Sequence, residues 1–298
     1  MERNILFVTL SNIGDAIMTT PVLEYLHILY PSAKFDLVCD KRSCEIFRYF
    51  PGINNIFIKE KSRGFTENYK LVKSLREKKY DVAVDLRTDF LLFFVKAIHK
   101  YRKIKNTNIH SCQKHMGSLK LKKAHNIKPK IYIPKEIEEN IKSFLPKSKK
   151  RIITLGLGSN DNEKIWPTHN YLKLLFLLKK HFDLVVLVGD KNDDKISAYF
   201  EKNAKFKTLN LSGKLNILET SAVIKNSNFF IGNDSGLGHI SSAVETSSFT
   251  IFGKGNPKIY KPYGAKGYFY QNIEKDINLI KVNIIYKKIN KILSIKNQ

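Results

Sequence analysis

A short apolar run that stops at a small polar turn and restarts as a helix opens this chain, and the same pattern returns along its length. Ile5-Leu6-Phe7-Val8 is rich in strand formers, Ser11-Asn12-Ile13-Gly14-Asp15 is a tight polar loop, and Ile17, Val22, Leu23 and Leu26 follow at helical positions. Strand, loop and helix in that order are the first unit of a doubly wound α/β domain. Ligands of such domains bind outside the carboxyl ends of the strands, which is where this loop carries Asp15. Gly14 beside it suggests a turn that needs an unusual φ or a close backbone approach. Asp15 also suits a helix cap, because a carboxylate favours the positive helix end. The two roles are compatible.

Further strands are predicted at 35–39, 56–58 and 80–86, with helices at 46–50, 69–78 and 90–99. Residues 102–150 are more polar. There Ile104 marks the start of a strand, Lys114-His115-Met116 a polar loop or helix start, 131–133 a strand leaving the first domain, and 136–145 a helix. The basic run Lys147 to Arg151 (KSKKR) follows Pro146, and the domain boundary is expected there, near residue 150. The alternation then restarts. Strands are expected at 152–155, 184–188, 229–231 and 248–252, the last clear one, and helices at 171–181, 195–202, 218–225, 237–244 and 277–293. The expected architecture is therefore two Rossmann-like α/β domains, 1–150 and 151–298, with mostly parallel sheets and a cleft between facing carboxyl edges. The C-terminal helix is free to pack back on the first domain.

Bulk properties narrow the partners. A chain of 298 residues suits two domains of about 150 each, and its 43% hydrophobic content argues against disorder. No apolar run approaches the roughly 18 residues that cross a bilayer, and no export leader is expected. Cys39, Cys44 and Cys112 show no metal-ligand or redox spacing, so free thiols in a reducing cytoplasm are expected. The net charge of +25 is the unusual property. Part of it fits a compositional bias, since the chain is rich in Ile and Asn at the expense of Arg and Ala. The remainder implies an acidic partner: nucleic acid, an anionic membrane surface or a phosphorylated substrate. No nucleic-acid module signature is present.

Two loops of the second half carry chemistry. Gly232-Asn233-Asp234-Ser235-Gly236 follows a strand and precedes a helix, a place where backbone N–H groups can hold a phosphate and where Asp234 and Ser235 can bond a sugar. As a bare pattern it is more often an Asx turn than a site. His239 falls one helical turn beyond Ser235, a spacing that also suits a structural histidine. The other loop, 159–167, holds the only Trp and a lysine, Lys164, able to neutralise phosphate oxygens or simply to lie in solvent. Asp193 and Asp194 stand where an acid can hold ribose hydroxyls, or where first-turn acids stabilise a helix. There is no GxGxxG, P-loop, GxSxG or HExxH, and no recognisable His/Cys metal set.

Taken in order, ILFVTLSNIGDAIMTTPVLEYLHILYPSAKF, YDVAVDLR, the loop 156–167 with KIWP, FFIGNDSGLGHISSA and IFGKGNPKIYKPYG resemble glycosyltransferase family 9, the ADP-heptose:lipopolysaccharide heptosyltransferases, over essentially the whole chain. The resemblance implies a GT-B fold, with an acceptor-binding first domain and a nucleotide-sugar-binding second domain. It implies inverting, metal-independent transfer with no cofactor: ADP-heptose as donor and the phosphorylated lipid A–core as acceptor, in an enzyme peripheral to the inner face of the inner membrane. By position, Asp15 matches the general base. Lys164, Ser159 and Asn160 match diphosphate contacts, Asp234 the acid on the heptose hydroxyls, and Asp194 (or Asp193) an acid near the nucleoside. Ser235, Gly236 and His239 belong to the same donor motif. Gly14, Lys59, Lys61 and Arg63 fall on the acceptor side. The chain departs from the family at Leu237-Gly238 for Pro-Met, at Lys254-Gly255 for Pro-Thr, and at SNDNE before KIWP. All three changes border the donor and bear on which nucleotide sugar is used. The competing readings are a relative with another donor or acceptor, a catalytically silent sugar-nucleotide binder, and a basic nucleic-acid-binding protein. The last would show polynucleotide affinity with a steep salt slope.

Overall fold

The computed structural model describes residues 3–59, 65–88, 90–105, 108–121, 126–146 and 150–295. The chain divides into two compact units, Met1–Tyr132 and Ile133–Gln298. The first contains β1 (Asn4–Val8), α1 (Ile13–Leu29), β2 (Lys34–Cys39), β3 (Ile53–Ile58), α2 (Phe65–Arg76), β4 (Lys79–Asp85), the single turn α3 (Leu91–Phe94), β5 (Lys96–Arg102) and α4 (Ser111–Gly117). Its strands pair in parallel in the order β3-β2-β1-β4-β5. The chain starts in the middle, winds outward through β2 and β3, then returns to the far side of β1. That leaves β1 and β4 adjacent with their outgoing loops diverging, the position at which a doubly wound sheet binds ligands.

The central strands are apolar because both faces are covered. Leu6, Val8, Val38 and Ala83 lie beneath Leu71 and Leu75 of α2 and Leu91 and Leu92 of α3. Helix α1 is buried well beyond one stripe, from Ala16 through Glu24, because α4 packs across it. Pro21 sits inside α1, where its ring removes a donor from the helix ladder. The hydroxyl of Thr20 donates to the Ile17 carbonyl at 2.8 Å and so satisfies the orphaned acceptor.

The second unit contains α5 (Lys135–Phe144), β6 (Ile152–Gly156), α6 (Thr168–Leu178), β7 (Leu184–Val188), α7 (Asp194–Asn203), β8 (Thr208–Asn210), α8 (Ile217–Lys225), β9 (Phe229–Asn233), α9 (Gly236–Ala243), β10 (Ser248–Phe252), α10 (Pro257–Tyr260), β11 (Gly267–Gln271) and α11 (Val282–Ile295). Its six parallel strands run β11-β10-β9-β6-β7-β8, the same winding with one strand more. The equivalent switch point lies between β6 and β9. The core gathers Trp166, Tyr171, Phe200, Phe229, Phe249 and Ile285.

Several expectations are corrected. The helix expected at 90–99 is one turn, after which Val95 turns extended and β5 pairs with β4. That strand therefore ends at Arg102 instead of starting at Ile104. Residues 131–133 form no strand; Lys130 N–H bonds the Thr20 hydroxyl at 3.0 Å, so this segment runs along α1. The units part at Tyr132/Ile133, not near 150, because α5 packs on α8 and buries Ile141 and Leu145 there. Helix α11 lies on α6 of its own unit. Gly14 is an ordinary helical residue of α1, without a positive φ. Strands β8 and β11 were not anticipated. No helix among the described residues is long and apolar enough to cross a membrane.

Candidate active site

The loops leaving β6, β9 and β10 converge in the second unit. Asn233, at the end of β9 and fully buried, organises them. Its side-chain oxygen accepts from Trp166 N–H at 3.0 Å and from the Tyr171 hydroxyl at 2.8 Å, while its amide nitrogen donates to the Leu157 carbonyl at 2.7 Å. Trp166 is anchored in turn by its indole N–H to the Ile280 carbonyl at 3.1 Å. The lone Trp and the Asn of NDSG are thus scaffold, and they fix where Lys164 and Asp234 stand. Lys164 Nζ lies 2.7 Å from Asp234 Oδ2, with the carboxylate nearly buried and the ammonium partly open. An ammonium has three donors, so two remain for another anion. The Ser159 hydroxyl reaches the Asp234 carbonyl at 3.4 Å, and Asn160 is exposed at the loop tip.

Directly after Asp234 the backbone enters α9 with Ser235 as N-cap, and no side chain caps the helix. The Ser235 Oγ is buried with no hydrogen-bond partner. An uncapped helix start beside an ammonium is an anion-binding arrangement, because the first amide N–H groups have no intrahelical acceptor. Gly236 begins α9, and His239 is buried one turn later. Gly238 lets α9 sit close to the sheet: a Cβ there would come within 3.3 Å of Thr250 Oγ1 and 3.4 Å of Pro262.

The loop after β10 closes over the same pair. A Cβ on Gly255 would lie 2.3 Å from Asp234 Oδ2, so only glycine admits the carboxylate in this position. Gln271 on β11 holds that loop by donating to the Gly253 and Gly255 carbonyls at 2.5 and 2.6 Å. Lys254 ties it to the β6 loop through Asp161 at 3.0 Å and through Glu163. Of the two candidate acids after β7, Asp193 is the one against the β6 loop; a Cβ at Gly158 would meet its Oδ1 at 1.7 Å. Burial raises the Asp193 carboxyl, with Asp190 and Asp194 pushing the same way. Asp194 faces Gly213 instead.

In the first unit, Asp15 stands in the opening turn of α1, half-buried, and accepts from the Asn12 side-chain amide at 3.0 Å. Asn12 is the N-cap residue, so Asp15 is not the cap that its residue type suggested. Along the same carboxyl edge, Arg87 after β4 gathers the other loop ends. Its Nη1 donates to the Lys59 carbonyl at 2.9 Å, its Nη2 lies 3.6 Å from Asp40, and its own carbonyl accepts from Lys103 at 3.1 Å. Burial lowers the Lys59 ammonium, partly opposed by Asp85. Burial raises Asp85, against hydrogen bonds from Thr88 and Arg87. Lys61 and Arg63 lie outside the described residues. Among the described residues no three His, Cys, Asp or Glu side chains gather as metal ligands.

The structure therefore brings together Ser159, Lys164, Asp234, Ser235 and Gly236, with Asn160 at the rim and His239 behind. The sequence assigns no role to Asn233 or Gln271, and marks Lys254-Gly255 only as a departure that borders the donor. Asn233 was visible in the NDSG loop, but no local pattern distinguishes a buried hub from a turn residue.

The family model for glycosyltransferase family 9 (heptosyltransferase) matches residues 113–284. Lipooligosaccharide heptosyltransferase 2 of Haemophilus influenzae is 27% identical, with 94% of this chain and 91% of the relative covered. Lipopolysaccharide heptosyltransferase 3 of Escherichia coli is 25% identical, with 84% and 83% covered. Among solved structures, the E. coli ADP-heptose lipopolysaccharide heptosyltransferase II superposes with TM-score 0.83 at 20% identity over 100% of both chains. A family 9 glycosyltransferase from Veillonella parvula does so with TM-score 0.86 at 20% identity, covering 98% and 97%. These superpositions carry the two-unit α/β fold of the GT-B glycosyltransferases.

Proposed function

Because the chain belongs to glycosyltransferase family 9, the heptosyltransferases, we propose that it moves a heptose from ADP-L-glycero-D-manno-heptose onto the inner core of lipopolysaccharide. The observation that carries this reading is the Lys164–Asp234 pair beside the uncapped start of α9 and the unpartnered Ser235 hydroxyl. A nucleoside diphosphate sugar needs such a site: cationic and N–H donors for the diphosphate, and a carboxylate beside it for sugar hydroxyls. The relatives named above are heptosyltransferases of the same kind.

In the proposed reaction the second unit holds the donor and the first the acceptor. Lys164, the Ser235 hydroxyl and the amide N–H groups of Gly236 and Leu237 meet the diphosphate oxygens. Asp234 accepts from heptose hydroxyls, and Asp193 serves the nucleoside end in preference to Asp194. Asp15 takes the proton of the acceptor hydroxyl as that oxygen attacks the anomeric carbon. The bond from that carbon to the β-phosphate oxygen breaks with inversion, and ADP leaves with its added negative charge held by Lys164 and the helix start. The charge is met by protein groups, so the step calls for no metal or cofactor. Asn12 keeps the Asp15 carboxylate turned toward its task, and Lys59 opens the basic segment that meets the acceptor. The acceptor is phosphorylated lipid A carrying inner-core sugar, reached from the cytoplasmic side at an anionic membrane surface.

The test is an assay of the purified chain with ADP-heptose and a panel of truncated core acceptors. Release of ADP that depends on a core acceptor lacking one heptose supports the proposal. Turnover only with another nucleotide sugar, or with no core acceptor, would remove the substrate assignment.

A further inference from the structure

From residue 90 to 135 the sequence has twelve lysines and arginines and no aspartate or glutamate, its longest stretch without an acid. The fold places the start of this stretch at an open sheet edge. Strand β5 pairs with β4 alone among the described strands, and α3 lies beside it. Four large apolar side chains stand out here: Phe90 is 75% exposed, Phe93 64%, Phe94 51% and Ile98 72%. Phe90 and Phe93 are ring neighbours, with centroids 6.4 Å apart. Arg102 stacks over Phe93 at 4.4 Å, and Lys100 Nζ donates to the Leu92 carbonyl at 2.7 Å. Lys100 and Arg102 thus reach α3 from one face of β5. Side chains two apart share a face, so Lys96 and Ile98 belong to it as well. Apolar groups gathered in this way on a protein surface mark an interaction site.

We propose that this α3–β5 edge is the surface by which the protein docks on an anionic bilayer. Phenyl and aliphatic groups ringed by cations suit the headgroup region, with the apolar groups entering the acyl boundary and the cations meeting lipid phosphates. A second copy of the chain would set Lys96, Lys100 and Arg102 against their own like charges. A nucleic acid would gain stacking from the phenyl rings but nothing from Ile98. The placement also serves a lipid-borne acceptor. In the order β1-β4-β5, the strand lies about 10 Å from β1, and Arg102 ends at the same carboxyl edge where Asp15 begins α1. This last point rests on the transfer proposed above; the docking itself does not.

The experiment is sedimentation of the full chain with vesicles of phosphatidylethanolamine and phosphatidylglycerol, against phosphatidylcholine alone. Phe93→Ser/Ile98→Ser and Lys96→Glu/Arg102→Glu are compared with the parent, and thermal unfolding verifies each fold. The expected result is binding to the anionic vesicles that weakens with salt and falls about tenfold or more in both variants. Turnover of a water-soluble, delipidated acceptor should be unchanged. Equal vesicle binding by parent and variants, or equal binding to phosphatidylcholine, overturns the docking surface. So does a parent that is a dimer converted to monomer by the substitutions, or oligonucleotide binding lost in the same variants without vesicle binding. A parent that binds vesicles but turns over no core acceptor leaves the docking surface standing and removes the heptosyl reading alone.

Discussion

At the scale of the residue, two side chains divide the proposed chemistry, and substitution separates them. Asp15→Asn keeps the shape and the Asn12 contact but cannot accept a proton. We expect kcat to fall by roughly 100-fold or more, the usual worth of a general base, while ADP affinity measured by calorimetry stays within about threefold. Full turnover in that variant would clear Asp15 of the role. Lys164→Ala removes the ammonium and leaves the largely buried Asp234 carboxylate without its partner. Losing a charged hydrogen-bond partner costs about 1–3 kcal/mol, so ADP-heptose should bind roughly ten- to a hundredfold more weakly in titration, with slower transfer. Unchanged binding would take Lys164 out of the site. Both residues were legible in the sequence, because each follows an apolar strand and precedes a helix, where side chains face a ligand position. The choice between Asp193 and Asp194 was not legible. Adjacent acids look alike in sequence, and only the absent Cβ of Gly158 shows which one lies on the β6 loop.

At the scale of the element, the long apolar-centred strands and helices could be read from their periods, and the polar ones could not. Residues 90–99 carry Phe, Leu, Val and Ile at spacings that fit a helix, but their partner is the edge of β4, which no local window contains. The short, half-exposed β8 and the exposed β11 escaped for the same reason: their stability lies in pairing with β7 and β10. Helix α4 shows what such a segment contributes. It covers α1 and buries His115, whose imidazole is pushed down to about 4, first by burial and then by Lys114 and His110. The unfolded chain takes up that proton near pH 6.5, the folded chain only near pH 4. Between these values the unfolded state binds more protons, so stability is whole above about pH 6.5 and falls as pH drops, by about 3 kcal/mol at the limit. Urea unfolding at pH 7.5 and 4.5 should show His115→Leu losing less on acidification than the parent chain. Parallel losses in both would place the buried imidazole elsewhere in the balance.

At the scale of the whole molecule, the position of α5 decides what counts as a unit. It lies on the N-terminal side of the basic run Lys147 to Arg151, and its Ile141 and Leu145 are buried in the second unit, where Glu138 also pairs with Lys225. Burial of two such side chains is worth about 3–6 kcal/mol. A fragment beginning at Ile133 should therefore unfold at a distinctly higher temperature than one beginning at Arg151, and equal melting temperatures would return the boundary to the basic run near 150. The sequence by itself determined the class of fold, two successive parallel-sheet units, because strand–loop–helix alternation is written in the spacing of apolar residues and restarts at Ile152. It also determined where the candidate side chains stand along the chain, because these follow strand ends. Only the tertiary structure decided which edge strands pair, which unit claims α5 and α11, and that a buried asparagine and a missing Cβ set the geometry around Lys164 and Asp234. Those outcomes depend on atoms brought together from distant parts of the chain, and local periodicity carries no record of them.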